Sequence, residues 1–182
     1  MDDETRLREL GLEPPSEPAD RDIDALEAEI GVPLPARYRE FLADFAGWWG
    51  DVCRPCREPT PFGDHVIAGF HDAGEVRGLL DSMITPRNMV TIAYGHFGAF
   101  TCLSIAGIDR GSVYALDSEF RVYWSDEEFH QRFNAMAENI REYIRLRRED
   151  LLPEKPVGYD SLYLIAEDFD EFLAQCRSFE EE

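Results

Sequence analysis

Residues 23–50, IDALEAEIGVPLPARYREFLADFAGWWG, decide the fold. Ile23, Leu26 and Ile30 recur at helical spacing, and Gly31 then offers the left-handed conformation that closes a helix. Val32-Pro33-Leu34-Pro35 forces an extended turn, because a residue before proline is pushed out of the helical region. Pro35 is pre-set for a first helical turn, and Tyr38, Phe41, Leu42 and Phe45 make a second apolar stripe behind it. The stretch is therefore two short amphipathic helices joined by a stiff turn, and later segments are expected to pack on that pair.

Working outward, residues 1–19 form an acidic arm in which Leu7, Leu10 and Leu12 make one apolar turn before Pro14-Pro15 breaks it. This arm either docks or stays loose. On the other side, residues 47–65 hold Gly47, Gly50, Pro55, Pro59, Pro61 and Gly63 and suit a long irregular loop. His65 to Phe70 follows as a strand, and Gly74 to Ser82 as a short helix buried through Val76, Leu79 and Leu80. From Met89 the runs MVTIAY, AFTCLSI, SVYALD and RVYW, separated by turns, predict an antiparallel meander of about four strands. Alternation puts Val90, Ile92 and Tyr94 on one face, and Cys102 opposite Leu103 and Ile105.

Ser125 with Glu128 makes a capping box for a long helix over about residues 126–149, with Phe129, Phe133, Met136, Ile140, Tyr143 and Ile144 as its stripe. Arg141, Arg145, Arg147 and Arg148 near its end complement the helix dipole or, less simply, bind an anion. Leu162 to Ala166 is a final strand, and Asp168 with Glu171 caps a last helix that buries Phe169, Phe172, Leu173 and Cys176. The fold class expected is α+β: a single domain with a mainly antiparallel sheet of five or six strands, packed by the N-terminal helix pair and C-terminal helices.

The pattern E-x-x-x-G-x-x-LP-x-x-Y-x-x-FL-x-x-x-x-G, carried by Glu27, Gly31, Leu34, Pro35, Tyr38, Phe41, Leu42 and Gly47, resembles the entry motif of the SUKH superfamily. That family includes bacterial toxin-immunity proteins and a yeast cell-wall regulator. Leu164, Ala166, Asp168, Phe169, Phe172 and Leu173 resemble its closing motif, and Met89 to Asp117, with Gly95 and Gly98 at a turn, resembles its core hairpins. The resemblance covers about residues 22–117 and 162–176 and implies a domain over 20–179, between the acidic arm and a short acidic tail at 180–182. Residues 118–161 depart from the family pattern and look like an insertion.

The net charge of −20 is unevenly placed. Residues 1–30 carry eleven acids against three arginines, and residues 160–182 carry eight against Arg177 alone. Such a field repels nucleic acid and anionic membranes and attracts basic partners, besides serving solubility. Four cysteines are too few and too unevenly spaced for a disulfide framework, and Asp2, Asp3 and Glu4 stand where a secretory signal would be basic. A cytoplasmic location is expected.

Cys53-Arg-Pro-Cys56 with His65 and His71 offers two thiols and two imidazoles, the donor set of a tetrahedral zinc site, although the inner gap is short and no helix holds both histidines. The simpler reading is a pair of loop thiols, and no metal or other cofactor is expected. A redox role is disfavoured by Pro55 and the lack of a helix N-terminus at the first thiol. No nucleophile elbow, metalloprotease helix or phosphate-binding loop occurs, and His96 beside the Gly95–Gly98 turn is an isolated histidine.

Trp48-Trp49 differs in kind, because adjacent aromatics do not easily face one core, so one is an interface anchor or a cover for the loop. Trp48, Trp49, Asp51, Glu75, Asp117 and Glu119 are the candidate partner-binding residues. The resemblance and the charge together imply a non-enzymatic immunity protein that neutralises a basic, nuclease-like toxin. The alternatives are an intracellular regulatory or scaffold module, and a zinc-binding domain or metal-dependent enzyme built on the cysteine–histidine set.

Overall fold

The computed structural model describes residues 2–81, 85–118 and 133–179. The opening helix pair forms as its residues dictate. Helix α2, Ile23–Ile30, is capped by the Asp22 side chain on the Ala25 N–H and closed by Gly31 in the left-handed region. Helix α3, Ala36–Phe45, starts after Pro35 and buries Tyr38, Phe41 and Leu42. Before them α1, Asp3–Glu9, docks the acidic arm: Leu7, Leu10 and Leu12 are all buried in the main core. Arg37 ties the arm down by pairing with Asp3 at 2.5 Å.

Seven strands are present among the described residues, where five or six were expected. They are β1 (Trp49–Arg54), β2 (His65–Phe70), β3 (Met89–Tyr94), β4 (Ala99–Ser104), β5 (Val113–Asp117), β6 (Leu162–Ala166) and β7 (Arg177–Ser178). Their order is β6-β5-β4-β3-β2-β1-β7, antiparallel throughout. The two unexpected strands are β1, inside the stretch expected to be irregular, and β7, a two-residue edge. Glycines and prolines crowd residues 47–65, but Val52, Cys53 and Arg54 pair in register with Ile67, Val66 and His65, so tertiary pairing overrides the local breakers.

The sheet curls until the chain just beyond β1 reaches the far edge strand. The Arg57 N–H donates to the Leu164 carbonyl at 2.9 Å, and Glu58 Oε1 accepts from the Leu164 N–H at 2.7 Å. The polar edge of β6 is thereby satisfied from within the molecule, which removes a template for unwanted pairing. One face of the sheet meets α2, α3, α4 (Ala73–Leu79) and α6 (Phe169–Ala174) in a core where Phe41, Phe70, Phe169 and Phe172 pack edge-on or tilted. Cys102 lies instead with Met89, Leu116 and Leu162 in a second cluster, away from Leu103 and Ile105, as alternation requires.

Two expectations about helices change. Helix α4 begins one residue earlier than expected, because Asp72 and Glu75 form a capping box, and it ends at Leu79. The long helix over 126–149 is not continuous. Its described part is α5, Glu138–Arg148, preceded by a 3-10 turn at Phe133–Ala135 and by an extended Ala137 (ψ 151°) that breaks the helical ladder. The strand RVYW, the Ser125/Glu128 capping box and Phe129 lie outside the described residues.

Candidate functional site

The two adjacent tryptophans part company at the start of β1. Trp48 is 5% exposed and packs edge-on against Phe45 at 5.6 Å, with the Arg8 guanidinium 5.3 Å from its ring centre. Trp49 is 50% exposed. Neighbouring residues of an extended chain point oppositely, so one indole enters the core and the other must leave it. Trp49 is nonetheless held firmly: its N–H and C=O pair with Glu13 at 3.0 and 2.8 Å, and across the sheet it is the register partner of Gly69.

Gly69 is also the register partner of Tyr94 on β3, so Trp49, Gly69 and Tyr94 form one row across three strands. The Tyr94 ring lies over the glycine. A Cβ at Gly69 would stand 2.6 Å from the phenol oxygen, so the absence of a side chain there is what lets the ring settle.

Two carboxylates flank this row. Asp51 Oδ1 is 2.8 Å from His96 Nε2 at the β3–β4 turn. Glu75, the capping residue of α4, is 3.3 Å from His71 Nδ1, and the His71 ring is 5.3 Å from that of Tyr94. His71 is 8% exposed, and burial holds its pKa below the ordinary histidine value, against the pull of Glu75. Tyr94 is pushed up by partial burial and then by the negative charges of Glu75 and Asp51. The face therefore combines an exposed indole, a phenol and two carboxylates, and its nearest histidine is kept neutral.

Of the six candidate partner-binding residues, the structure brings Trp49, Asp51 and Glu75 to this face. Trp48 is in the core. Asp117 is 5% exposed at the end of β5, in a separate cavity of about 240 Å³ with His65, Phe62 and Phe179. Glu119 lies outside the described residues. Sequence reasoning did not single out Gly69 or Tyr94 for function. The available signal was a glycine inside the strand pattern HVIAGF, which marks close approach by a neighbouring group.

The four zinc candidates do not converge. Cys53 pairs with Val66 and Arg54 with His65, so the Cys53 and His65 side chains fall on opposite faces. His65 and His71 are six residues apart along an extended strand, about 20 Å, whereas ligands of one zinc ion each stand about 2 Å from it. His65 Nε2 instead meets Thr101 Oγ1 at 2.8 Å. Burial pushes the Cys56 thiol up to about 12, the neutral form that does not bind metal. Among the described residues, no group of three or more His, Cys, Asp or Glu side chains is placed to hold a metal ion. Although His65 and Thr101 have the look of a base and a nucleophile, Thr101 is fully buried on β4 and closed to a substrate.

A larger groove of about 1690 Å³ runs between residues 56–66 and α5. Its arginines are mostly engaged: Arg177 with Asp64, Arg145 with Glu142 and Glu149, Arg57 with Glu167 and Glu171. No helix among the described residues is long and apolar enough to cross a membrane.

A helix pair leading into a curled antiparallel sheet, closed by a strand-to-helix turn, defines a mixed α/β domain whose prominent surface feature is a sheet face. The SMI1 / KNR4 family (SUKH-1) profile matches residues 17–175, and the chain belongs to that family. The match spans the helix pair, strands β1 to β6 and the last helix. No curated protein and no solved structure matches the chain.

Proposed function

We propose that this protein is a non-enzymatic binding module that neutralises a cognate basic protein toxin, of the nuclease kind, in the cytoplasm. The observation that carries the reading is the half-exposed Trp49 in one row with Tyr94, near whose phenol stand Asp51 and Glu75: an aromatic anchor with acidic neighbours. Membership of the SMI1 / KNR4 family supports a binding role over a catalytic one.

The mechanism follows from charge and shape. A net charge of −20 accelerates encounter with a basic surface, and a nuclease needs such a surface to hold its own substrate. A buried aromatic anchor then slows dissociation, and occupation of the cationic channel excludes nucleic acid. Co-expression with each adjacent toxin gene tests the proposal. Rescue of growth supports it, and survival no better than with an empty vector for every such toxin removes it.

A further inference from the structure

We infer that the row Trp49–Gly69–Tyr94 with Asp51 and Glu75 is a receptor for an arginine side chain of a partner protein. The inference rests on the binding reading above and names the chemistry of its contact. Two observations carry it. The first is the aromatic row: Trp49 is 50% exposed, and one strand beyond its register partner Gly69 stands Tyr94, whose ring lies over that glycine. A guanidinium is flat, weakly hydrated and attracted to aromatic faces, so it suits such a platform better than a compact ammonium does.

The second is a pair of carboxylates near the row, Asp51 and Glu75, that hold no arginine or lysine among the described residues. Elsewhere among the described residues many carboxylates already hold an arginine or lysine: Asp3 and Asp170 hold Arg37, Asp24 and Glu27 hold Arg39, and Glu58 holds Lys155. Asp51 and Glu75 are instead partnered by histidines, His96 and His71. Both carboxylates raise the Tyr94 pKa, so both stand near its phenol, and the His71 ring that meets Glu75 is 5.3 Å from the Tyr94 ring. An incoming guanidinium would lie on the rings and donate forked hydrogen bonds to one carboxylate, with the other completing the charge balance. A wholly apolar ligand would leave the carboxylates desolvated and unpaired.

The experiment is an NMR titration of the full chain with a blocked arginine hexapeptide, read at the Trp49 indole N–H. Lysine and glutamate hexapeptides serve as comparisons. The arginine peptide is expected to shift the Trp49 resonance saturably, more tightly than the lysine peptide, with no response to glutamate. Asp51→Asn with Glu75→Gln is expected to weaken binding about tenfold or more, the equivalent of about 1.4 kcal/mol. Glu4→Gln with Glu142→Gln, which removes the same charge elsewhere, leaves it unchanged.

An unmoved Trp49 resonance, or equal binding by the two double variants, overturns the inference. The result is independent of toxin rescue. Rescue without an arginine response at Trp49 defeats the inference and spares the function, whereas a response at Trp49 with no toxin neutralised does the reverse.

Discussion

Arg54, whose side chain is 1% exposed, stands 3.7 Å from Glu171 and donates to the Ile165 carbonyl at 3.1 Å, so an arginine of β1 clasps the far edge strand and the last helix at once. This contact, with the Arg57 to Leu164 bond beside it, is what fastens the curl of the sheet. Arg54→Ala strands the carbonyls of Ile165 and Pro55 and is expected to cost about 3 kcal/mol. Arg54→Met fills the same space and removes an Nε that has no partner among the described residues, so it should cost at least about 1 kcal/mol less. Urea denaturation midpoints separate the two. Equal losses would show that the clasp acts by charge alone.

Gly69 on β2 and Gly95 just past the end of β3 should respond oppositely to alanine. At Gly95 a Cβ would meet the Val66 backbone carbonyl at 2.0 Å, and that oxygen is held in the sheet. Gly95→Ala therefore destabilises by about 1–3 kcal/mol or prevents folding. At Gly69 the obstacle is the tip of the Tyr94 side chain, which can swing away. Gly69→Ala should leave the melting temperature nearly unchanged while lowering affinity for a basic partner, because the platform is dislodged. Loss of stability without loss of binding at Gly69 would contradict the role given to Tyr94.

How much of this was legible in the sequence differs from element to element. The helix pair, β2, β6 and the last helix were legible because their signals are local: Gly31 stops a helix, Pro35 starts one, and Asp168 caps one. Strands β1 and β7 were not, because pairing with distant partners overrides Gly50 and Pro55 in the first case, and in the second two residues carry no period to recognise. That Trp48 and Trp49 face different ways was expected from their adjacency, although which of them turns inward was not. The row itself was hidden, since Trp49, Gly69 and Tyr94 meet only through register across three strands. Likewise the cysteine–histidine spacing suggested zinc until β-pairing set Cys53 and His65 on opposite faces.

The two tryptophans give a clean separation of stability from recognition. Trp48→Ala empties core space against Phe45 and is expected to cost about 3–5 kcal/mol. Trp49→Ala removes an exposed ring and should change stability by less than about 1 kcal/mol, while weakening partner binding by about 2 kcal/mol or more, roughly thirtyfold. Thermal melts and calorimetry of both variants with the rescued toxin decide the matter. Affinity that survives Trp49→Ala would move the interface elsewhere.

Stability should form a plateau in pH whose two edges have different owners. On the acid side the owner is His71, whose folded pKa is depressed by burial below 6.5. The unfolded chain binds the proton first, so its contribution is complete above about pH 6.5 and falls as pH drops below it. On the alkaline side the owners are Cys56, Cys102 and Cys176, whose thiols burial pushes up to about 12 from an ordinary 9.0. Here the folded state holds the proton longer, so stability is complete below pH 9 and declines as pH rises toward 12, by up to about 1.4 kcal/mol per pH unit for each thiol. Burial of Tyr38 works in the same direction at higher pH. Urea midpoints measured from pH 5 to 11 should therefore stay level from about 6.5 to 9 and fall on both sides. Cys102→Ala should make the alkaline limb shallower without abolishing it, while His71→Gln flattens the acid one. Native thiol modification at pH 8 should reach Cys53 first, because it is partly exposed, whereas Cys102 and Cys176 are buried and burial holds the Cys56 thiol protonated. Simultaneous modification of all four would mean that the sheet opens far more readily than its pairing implies.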